Sequence, residues 1–102
     1  MSESLNREEN VAGGSVQLVH PVGMHARPAV KLTKLAKRFS SEIALRVAGA
    51  ADWIDAKSVA SVMAMRAARD SIIEFEATGA DAQAAVAALV LLVEQDFPDI
   101  VA

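Results

Sequence analysis

The sequence has no cysteine and no tyrosine, and its aromatic residues are one tryptophan and three phenylalanines. The absence of cysteine excludes disulfides, thiolate metal sites and thiol nucleophiles, and is compatible with a reducing compartment. Hydrophobic residues make up 53% of the chain but aromatic residues only 4%, so the core must be built mainly from aliphatic side chains. A single Trp53 offers no platform for stacking nucleic-acid bases. Together with a net charge of -3, this predicts that nucleic acid is not a partner.

Long hydrophobic runs are missing as well. The most apolar stretch, residues 84–93, is much shorter than the roughly 20 residues of a membrane-spanning helix, so we expect a buried helix and no membrane association. The first ten residues are polar and acidic and lack the basic and apolar regions of a secretory signal. We therefore expect a cytoplasmic protein.

Residues 1–14 show no hydrophobic periodicity and end in two glycines, which predicts a flexible N-terminal tail followed by one domain at 15–102. Hydrophobic periods and turn residues predict seven elements in that domain: strands at 15–20, 43–47, 52–55 and 71–78, and helices at 26–38, after Ser58 and after Asp81. Ser58 and Asp81 are the predicted N-caps of their helices. The order β-α-β-β-α-β-α contains a hairpin, so it does not fit a doubly wound parallel sheet. It predicts an α+β fold in which three helices cover one face of a four-stranded antiparallel sheet.

The first turn of the first predicted helix concentrates residues that a core does not require: His25, Arg27 and Pro28. Pro28 loses no hydrogen bond there, because amides of the first turn have no acceptor within the helix. The remaining free amides and the positive end of the helix dipole form an anion site, and Gly23 leaves its approach open. A neutral His25 ring is a nucleophile, and the Arg27 guanidinium can hold phosphate oxygens. These residues predict that His25 takes up a phosphoryl group.

The chemistry around His25 favours storage of that group over its hydrolysis. No acidic residue lies between Val11 and Ser41, so a base that could activate water is missing nearby. A metal site is not expected, because His20 and His25 have no carboxylate beside them to complete a set of ligands. His20 is instead predicted to be a surface residue at the end of a strand.

A basic stripe follows the same helix. Its members recur at steps of four, three and four residues: Arg27, Lys31, Lys34 and Arg38. Such a stripe is either a solvated helix face or a docking surface that attracts an acidic partner.

The stretch Gly23-Met24-His25-Ala26-Arg27-Pro28-Ala29 resembles the active-centre motif of the HPr phosphocarrier proteins of the bacterial phosphoenolpyruvate-dependent phosphotransferase system. The resemblance extends from Ser15 to about Phe97 and includes "AKS" at 56–58 and "ATGAD" at 77–81. It implies the open-faced β-sandwich of that family.

The resemblance also implies a relay. Enzyme I, charged by phosphoenolpyruvate, would phosphorylate His25 on Nδ1 with Arg27 as the phosphate partner, and an EIIA-type protein would remove the group. Such a protein is a stoichiometric carrier and not an enzyme, and we expect it to be a monomer without a cofactor. Ser58 falls at the position of the regulatory serine that an HPr kinase/phosphorylase modifies in some bacteria.

Partner docking is implied at an apolar patch that includes Val59 and Met63, beside Lys31 and Lys34 of the basic stripe. We expect Met63 to lie near a partner and Val62 to be buried.

Three positions depart from the family pattern. Val22 is apolar where many members carry a polar residue, which favours the nitrogen-related branch over the sugar branch without excluding either. Arg66 and Asp70 stand where glycine is frequent, which predicts that the second helix runs further before it turns.

Two other classes of protein compete with the carrier. A small hydrolase of the acylphosphatase kind would release phosphate catalytically. A regulatory binding module would use the same surface without phosphorylation, so that replacing His25 would leave partner binding unchanged.

Overall fold

The computed structural model describes residues 10–99 as one open-faced α+β layer pair. The strands are β1 (Val11–Gln17), β2 (Glu42–Val47), β3 (Ile54–Asp55) and β4 (Ile72–Thr78), and the helices are α1 (Ala26–Ala36), α2 (Val59–Ala64) and α3 (Ala82–Glu94). The four strands form an antiparallel sheet in the order β1-β4-β2-β3. The predicted fold class and element order are confirmed.

The core lies between the sheet and the helices. Side chains alternate across a strand, so Ile73 and Phe75 of β4 and Leu45 of β2 are buried while Glu76 is exposed. The helices contribute the apolar stripes predicted for them, including Leu32 of α1, which is fully buried. Within residues 10–99, no helix has both the length and the apolar character needed to cross a membrane.

Strand β1 begins earlier than predicted. It starts at Val11, so residues 11–14, which we assigned to the tail, pair with β4. The reason is packing against α3: a Cβ on Gly14 would lie 3.0 Å from Val86 Cγ1 and 3.3 Å from Val90 Cγ2. The glycine that suggested a linker therefore lets a helix approach the strand closely. The rest of the predicted tail, residues 1–9, lies outside the described residues.

Helix α2 is shorter than the departures from the family pattern predicted. It ends at Ala64, and both Arg66 (φ 52°) and Asp70 (φ 74°) adopt the left-handed conformation that glycine favours. The prediction of a longer helix is wrong, because the chain makes the same turns without glycine.

The predicted N-caps have different outcomes. The Ser58 hydroxyl oxygen accepts a hydrogen bond from the Ser61 amide at 3.2 Å, which confirms it as the cap of α2. Asp81 stands at the N-cap position of α3 but makes no side-chain capping hydrogen bond. Its carboxylate accepts instead from the amides of Ser40 and Ser41, each at 2.9 Å, and from the Ser41 hydroxyl. Asp81 thus fixes the loop between α1 and β2.

Candidate functional site

The loop that leads into α1 is held against the loop that follows α2. Gly23 has φ 80°, and a Cβ there would lie 2.6 Å from the Ala67 carbonyl oxygen. The next residue, Met24, is buried and donates its amide to that same carbonyl at 2.9 Å. Only glycine fits this approach, so the position of His25 depends on Gly23.

Helix α1 begins without a side-chain cap. His25 occupies the N-cap position in an extended conformation (φ -107°, ψ -166°) and its side chain makes no capping hydrogen bond. The first amide that bonds within the helix is that of Ala29, which donates to the His25 carbonyl at 3.0 Å. Within residues 10–99, the amides of Ala26 and Arg27 have no acceptor. Pro28, which follows them, is buried and has no amide hydrogen of its own. The first turn therefore presents two free amides at the positive end of the helix dipole.

The His25 ring exposes one of its two nitrogens to a reaction. The Nε2 atom is buried and has no hydrogen-bond partner among the described residues. Because the residue as a whole is only half-buried, Nδ1 is the nitrogen that a partner can reach.

His20 was predicted to be a surface residue at the end of a strand, and it is half-buried three residues beyond β1. Its ring contacts the His25 ring, with centroids 4.8 Å apart and planes inclined at 58°. The two histidines meet because the chain reverses at Pro21-Val22-Gly23, where the Gly23 amide donates to the His20 carbonyl at 2.9 Å. A Pro-x-Gly segment between two histidines is the sequence signal for this contact, since it favours a turn.

Arg27 and Lys31 of the basic stripe lie near residues 97–99, in the segment that follows α3. The Lys31 ammonium donates to the Phe97 carbonyl and pairs with Asp99 Oδ1, both at 2.8 Å. The hydrogen bond from Lys31 to Asp99 and the positive charge of Lys31 lower the pKa of the Asp99 carboxyl group. The charge of Arg27 lowers it further by a smaller amount. Arg27 itself is exposed beside His25. Lys31 is therefore already partnered within the chain, which its sequence position did not indicate.

The other predicted docking residues differ in exposure. Lys34 is exposed on α1, and Arg38 is exposed two residues beyond the end of that helix. On α2, which packs against α1, Met63 is 40% exposed and Val59 is half-buried. Val62 is fully buried, as predicted.

A metal centre does not form at these residues. Within the described residues, no group of three or more histidine, cysteine or acidic side chains is placed to hold a metal ion. The arrangement can instead bind an anion, through two free amides, a helix dipole and an adjacent guanidinium.

Comparison with known proteins gives one consistent family. A family model described as "PTS HPr component phosphorylation site" matches residues 14–95. The phosphocarrier protein NPr of Escherichia coli K12 is 35% identical over 85 residues, which cover 83% of this chain and 93% of that protein. The phosphocarrier protein HPr of Cupriavidus necator is 36% identical over 80 residues, which cover 78% of this chain and 88% of that protein.

Solved structures agree with the sequence comparisons. The crystal structure of HPr-C-His from Thermoanaerobacter tengcongensis superimposes with a TM-score of 0.79 at 28% identity. The match covers 88% of this chain and 99% of that one. The fold and the sequence thus lead to the same group of proteins.

Proposed function

Because the chain belongs to the HPr family of phosphocarrier proteins, we propose that it accepts a phosphoryl group from Enzyme I on Nδ1 of His25 and passes it to an EIIA-type protein. Members of this family are phosphocarriers and not enzymes, so each molecule carries one group at a time and depends on its partners for turnover.

The observation that carries the proposal is the open start of α1. His25 is its N-cap, Nδ1 is the accessible ring nitrogen, and the amides of Ala26 and Arg27 are free among the described residues. A phosphoryl group on Nδ1 would bring about two negative charges to a place where amides and a dipole favour an anion. The exposed Arg27 guanidinium supplies a fork of donors for its oxygens.

Within this chain, only His25 Nδ1 forms or breaks a bond in the transfer step. The lone pair of His25 Nδ1 attacks the phosphorus held by Enzyme I, and the bond from phosphorus to the donor breaks as the bond to Nδ1 forms. The donor group leaves with its electron pair, and the imidazole proton stays on Nε2. Onward transfer to the EIIA-type protein reverses these roles at His25.

The energies at the site suit a group that must leave again. A helix dipole contributes about 0.3–1 kcal/mol to a nearby anion, and a hydrogen bond to a charged group about 1.5–3 kcal/mol. These contributions stabilise the phosphorylated form without making it a final state. A hydrolase would also need a free base beside the phosphoryl group, whereas Asp99, the carboxylate near Arg27, is paired with Lys31 and has a lowered pKa.

Partner docking is proposed on the surface formed by α1 and α2. Lys34 and Met63 are exposed there, and Val59 is partly exposed beside them. Lys31 belongs to the same surface but holds Asp99, so an acidic partner residue would have to replace that carboxylate. We expect Enzyme I and the EIIA-type protein to use this surface in turn, with the chain acting as a monomer in the cytoplasm.

Ser58 is proposed as a second modification site, for an HPr kinase/phosphorylase. The proposal rests on the match of Ser58 to the regulatory serine of the family. Its hydroxyl caps α2 in the unmodified protein, so a structural role and a regulatory role are compatible.

Two branches of the family, one for sugar uptake and one for nitrogen-related regulation, are candidates for this chain. Relatives named NPr and HPr are almost equally similar, at 35% and 36% identity. A direct comparison of phosphoryl transfer from this chain to a sugar-type and a nitrogen-type EIIA protein decides between the two branches, because the cognate acceptor should take the group faster.

Intact-mass spectrometry tests the proposal. The wild type and His25→Ala are incubated with Enzyme I and phosphoenolpyruvate at neutral pH and then treated briefly with acid. We expect one acid-labile phosphate on the wild type and none on His25→Ala. An unmodified wild type with a competent Enzyme I would contradict the proposal and favour the binding module, whereas steady release of phosphate would favour the hydrolase.

A further inference from the structure

His20 is the aromatic neighbour of the proposed phosphoryl acceptor, and its own ring is fixed on two sides. On one side the Val22 amide donates a hydrogen bond to His20 Nδ1 at 3.3 Å. On the other side lies the Phe97 ring, in an edge contact with centroids 6.2 Å apart. Because Nδ1 accepts a hydrogen bond, the neutral His20 ring carries its proton on Nε2. His20 is therefore held in one orientation.

The Phe97 side chain, which contacts His20, is buried and fixed in place. Phe97 is only 4% exposed. Both Phe97 (φ 56°) and the residue before it, Asp96 (φ 61°), adopt the left-handed conformation in the segment after α3. The Phe97 carbonyl accepts the hydrogen bond from Lys31. The segment that follows α3, the ring of His20 and the start of α1 are thus in contact.

The His25 ring has a different environment. Histidines that work through one nitrogen usually have the other nitrogen held by a carbonyl or a carboxylate, which fixes the ring. His25 Nε2 has no such partner among the described residues. Rotation of the ring by half a turn about its Cβ–Cγ bond would move Nδ1 away from the open side. The contact with His20, at 4.8 Å between centroids, is an interaction that can favour one orientation.

We propose that His20 is a positioning residue: its ring holds the His25 ring with Nδ1 directed outward for phosphoryl transfer. This inference rests on the proposed function, because it concerns the nitrogen of His25 that reacts. A half-turn of the His25 ring exchanges nitrogen and carbon atoms of nearly equal size, so the His20 ring acts through the polarity of the ring contact, which takes the place of a hydrogen bond to Nε2. His20 does not receive the phosphoryl group itself.

Three substitutions at position 20 separate the parts of this proposal. His20→Ala removes the ring, His20→Asn keeps an acceptor for the Val22 amide without the ring, and His20→Phe keeps the ring without the nitrogens. Val22→Ala is the matched control, because Val22 is adjacent and 71% exposed while its backbone amide is unchanged. Each protein is phosphorylated by Enzyme I, and phosphorus NMR then measures the ratio of Nδ1 to Nε2 phosphohistidine alongside the rate.

We expect His20→Ala and His20→Asn to react about tenfold to a hundredfold more slowly, the range that misplacement of a reacting group produces, and to give both isomers. His20→Phe should recover the Nδ1 isomer and most of the rate, and Val22→Ala should match the wild type. Thermal unfolding of each variant identifies any loss of fold, which would lower the rate without mixing the isomers.

Failure of this inference differs from failure of the proposed function. If the wild type is phosphorylated at Nδ1 and His20→Ala gives the same isomer at the same rate, the positioning role is wrong and the carrier role stands. If the wild type takes no phosphate at His25, the proposed function fails. In that case proton NMR of the unmodified protein still tests the ring contact, and the absence of cross-relaxation between the rings would overturn it.

Discussion

Helices α1 and α2 differ in the residue that caps their first turn: a serine caps α2, whereas the histidine before α1 makes no capping hydrogen bond. At the start of α2, the Ser58 hydroxyl accepts a hydrogen bond from the Ser61 amide, while the Val59 and Ala60 amides have no acceptor among the described residues. At the start of α1, His25 provides no such acceptor, and two amides are free among the described residues. A side-chain cap contributes about 0.5–2 kcal/mol to stability. At α1 this stabilisation is absent, and the amides remain available to a ligand.

The start of α3 adds a third case. Asp81 stands in the N-cap position, but its carboxylate accepts hydrogen bonds from Ser40 and Ser41 instead. An N-cap residue that does not cap its helix is therefore not enough to identify a site. The start of α1 differs because a histidine with an accessible nitrogen and an arginine accompany the free amides.

The largest effect is expected where the loop entering α1 is disrupted. Gly23→Ala places a Cβ 2.6 Å from the Ala67 carbonyl oxygen at φ 80°, so both strain and a backbone clash oppose folding. The matched control is Gly49→Ala, which has a similar φ of 91° but nothing within 4 Å of the new Cβ. In urea unfolding we expect a loss of about 3 kcal/mol or more for Gly23→Ala and about 1 kcal/mol for Gly49→Ala. Equal losses would contradict the close approach at Gly23.

Adding a capping side chain at the start of α1 should raise the free energy of unfolding without restoring phosphorylation. His25→Asp supplies a good N-cap and a negative charge at the helix N-terminus, whereas His25→Ala supplies neither. We expect His25→Asp to exceed His25→Ala by about 1 kcal/mol in free energy of unfolding, while neither variant is phosphorylated by Enzyme I. The same stability for both variants would show that the start of α1 is not open.

Opening the start of α2 is the reverse change. Ser58→Ala removes the hydroxyl that accepts from the Ser61 amide, and should lower the free energy of unfolding by about 1 kcal/mol. Ser58→Asp retains an acceptor and should recover most of that loss in the same urea titration. If Ser58→Ala unfolds like the wild type, the hydroxyl does not cap the helix.

The smallest effect concerns pH and the loop fixed by Asp81. Hydrogen bonds from the Ser41 hydroxyl and then the Ser40 amide lower the pKa of Asp81 to about 2. The ionised carboxylate therefore adds stability that is complete above its ordinary pKa of about 3.9 and is lost as pH falls toward about 2. Unfolding free energy measured from pH 5 to pH 2.5 should fall more for the wild type than for Asp81→Asn. Parallel curves would contradict this assignment.

The sequence predicted the features that depend on local patterns. The amphipathic period of α1, the alternation in β4 and the Ser58 cap each involve residues close together in the chain, so the order and type of the elements followed. The residues of the α1 start were singled out on the same ground, because Pro28 and the free amides are properties of one helix turn.

Features that depend on contacts between distant segments were not predicted. Gly14 is a strand residue because α3 packs against it. The Asp81 carboxylate does not cap α3 because a loop 40 residues earlier supplies hydrogen-bond donors. Lys31 holds a carbonyl that lies 66 residues further along the chain. The contact between His20 and His25 had a local signal in Pro21-Val22-Gly23, but the turn also depends on the close approach of Gly23 to the Ala67 carbonyl. Periodicity and capping residues carry no information about such partners.

The most direct test of the central claim is the amide NMR spectrum of the protein before and after phosphorylation by Enzyme I. If the phosphoryl group sits on His25 Nδ1 over the open start of α1, the amide signals of Ala26 and Arg27 should move strongly on phosphorylation, because they become its hydrogen-bond donors. The Ser61 amide, which is already bonded to Ser58, should stay in place. Phosphorylation at His25 that leaves the Ala26 and Arg27 amides unchanged would contradict the claim that the open helix start holds the phosphoryl group.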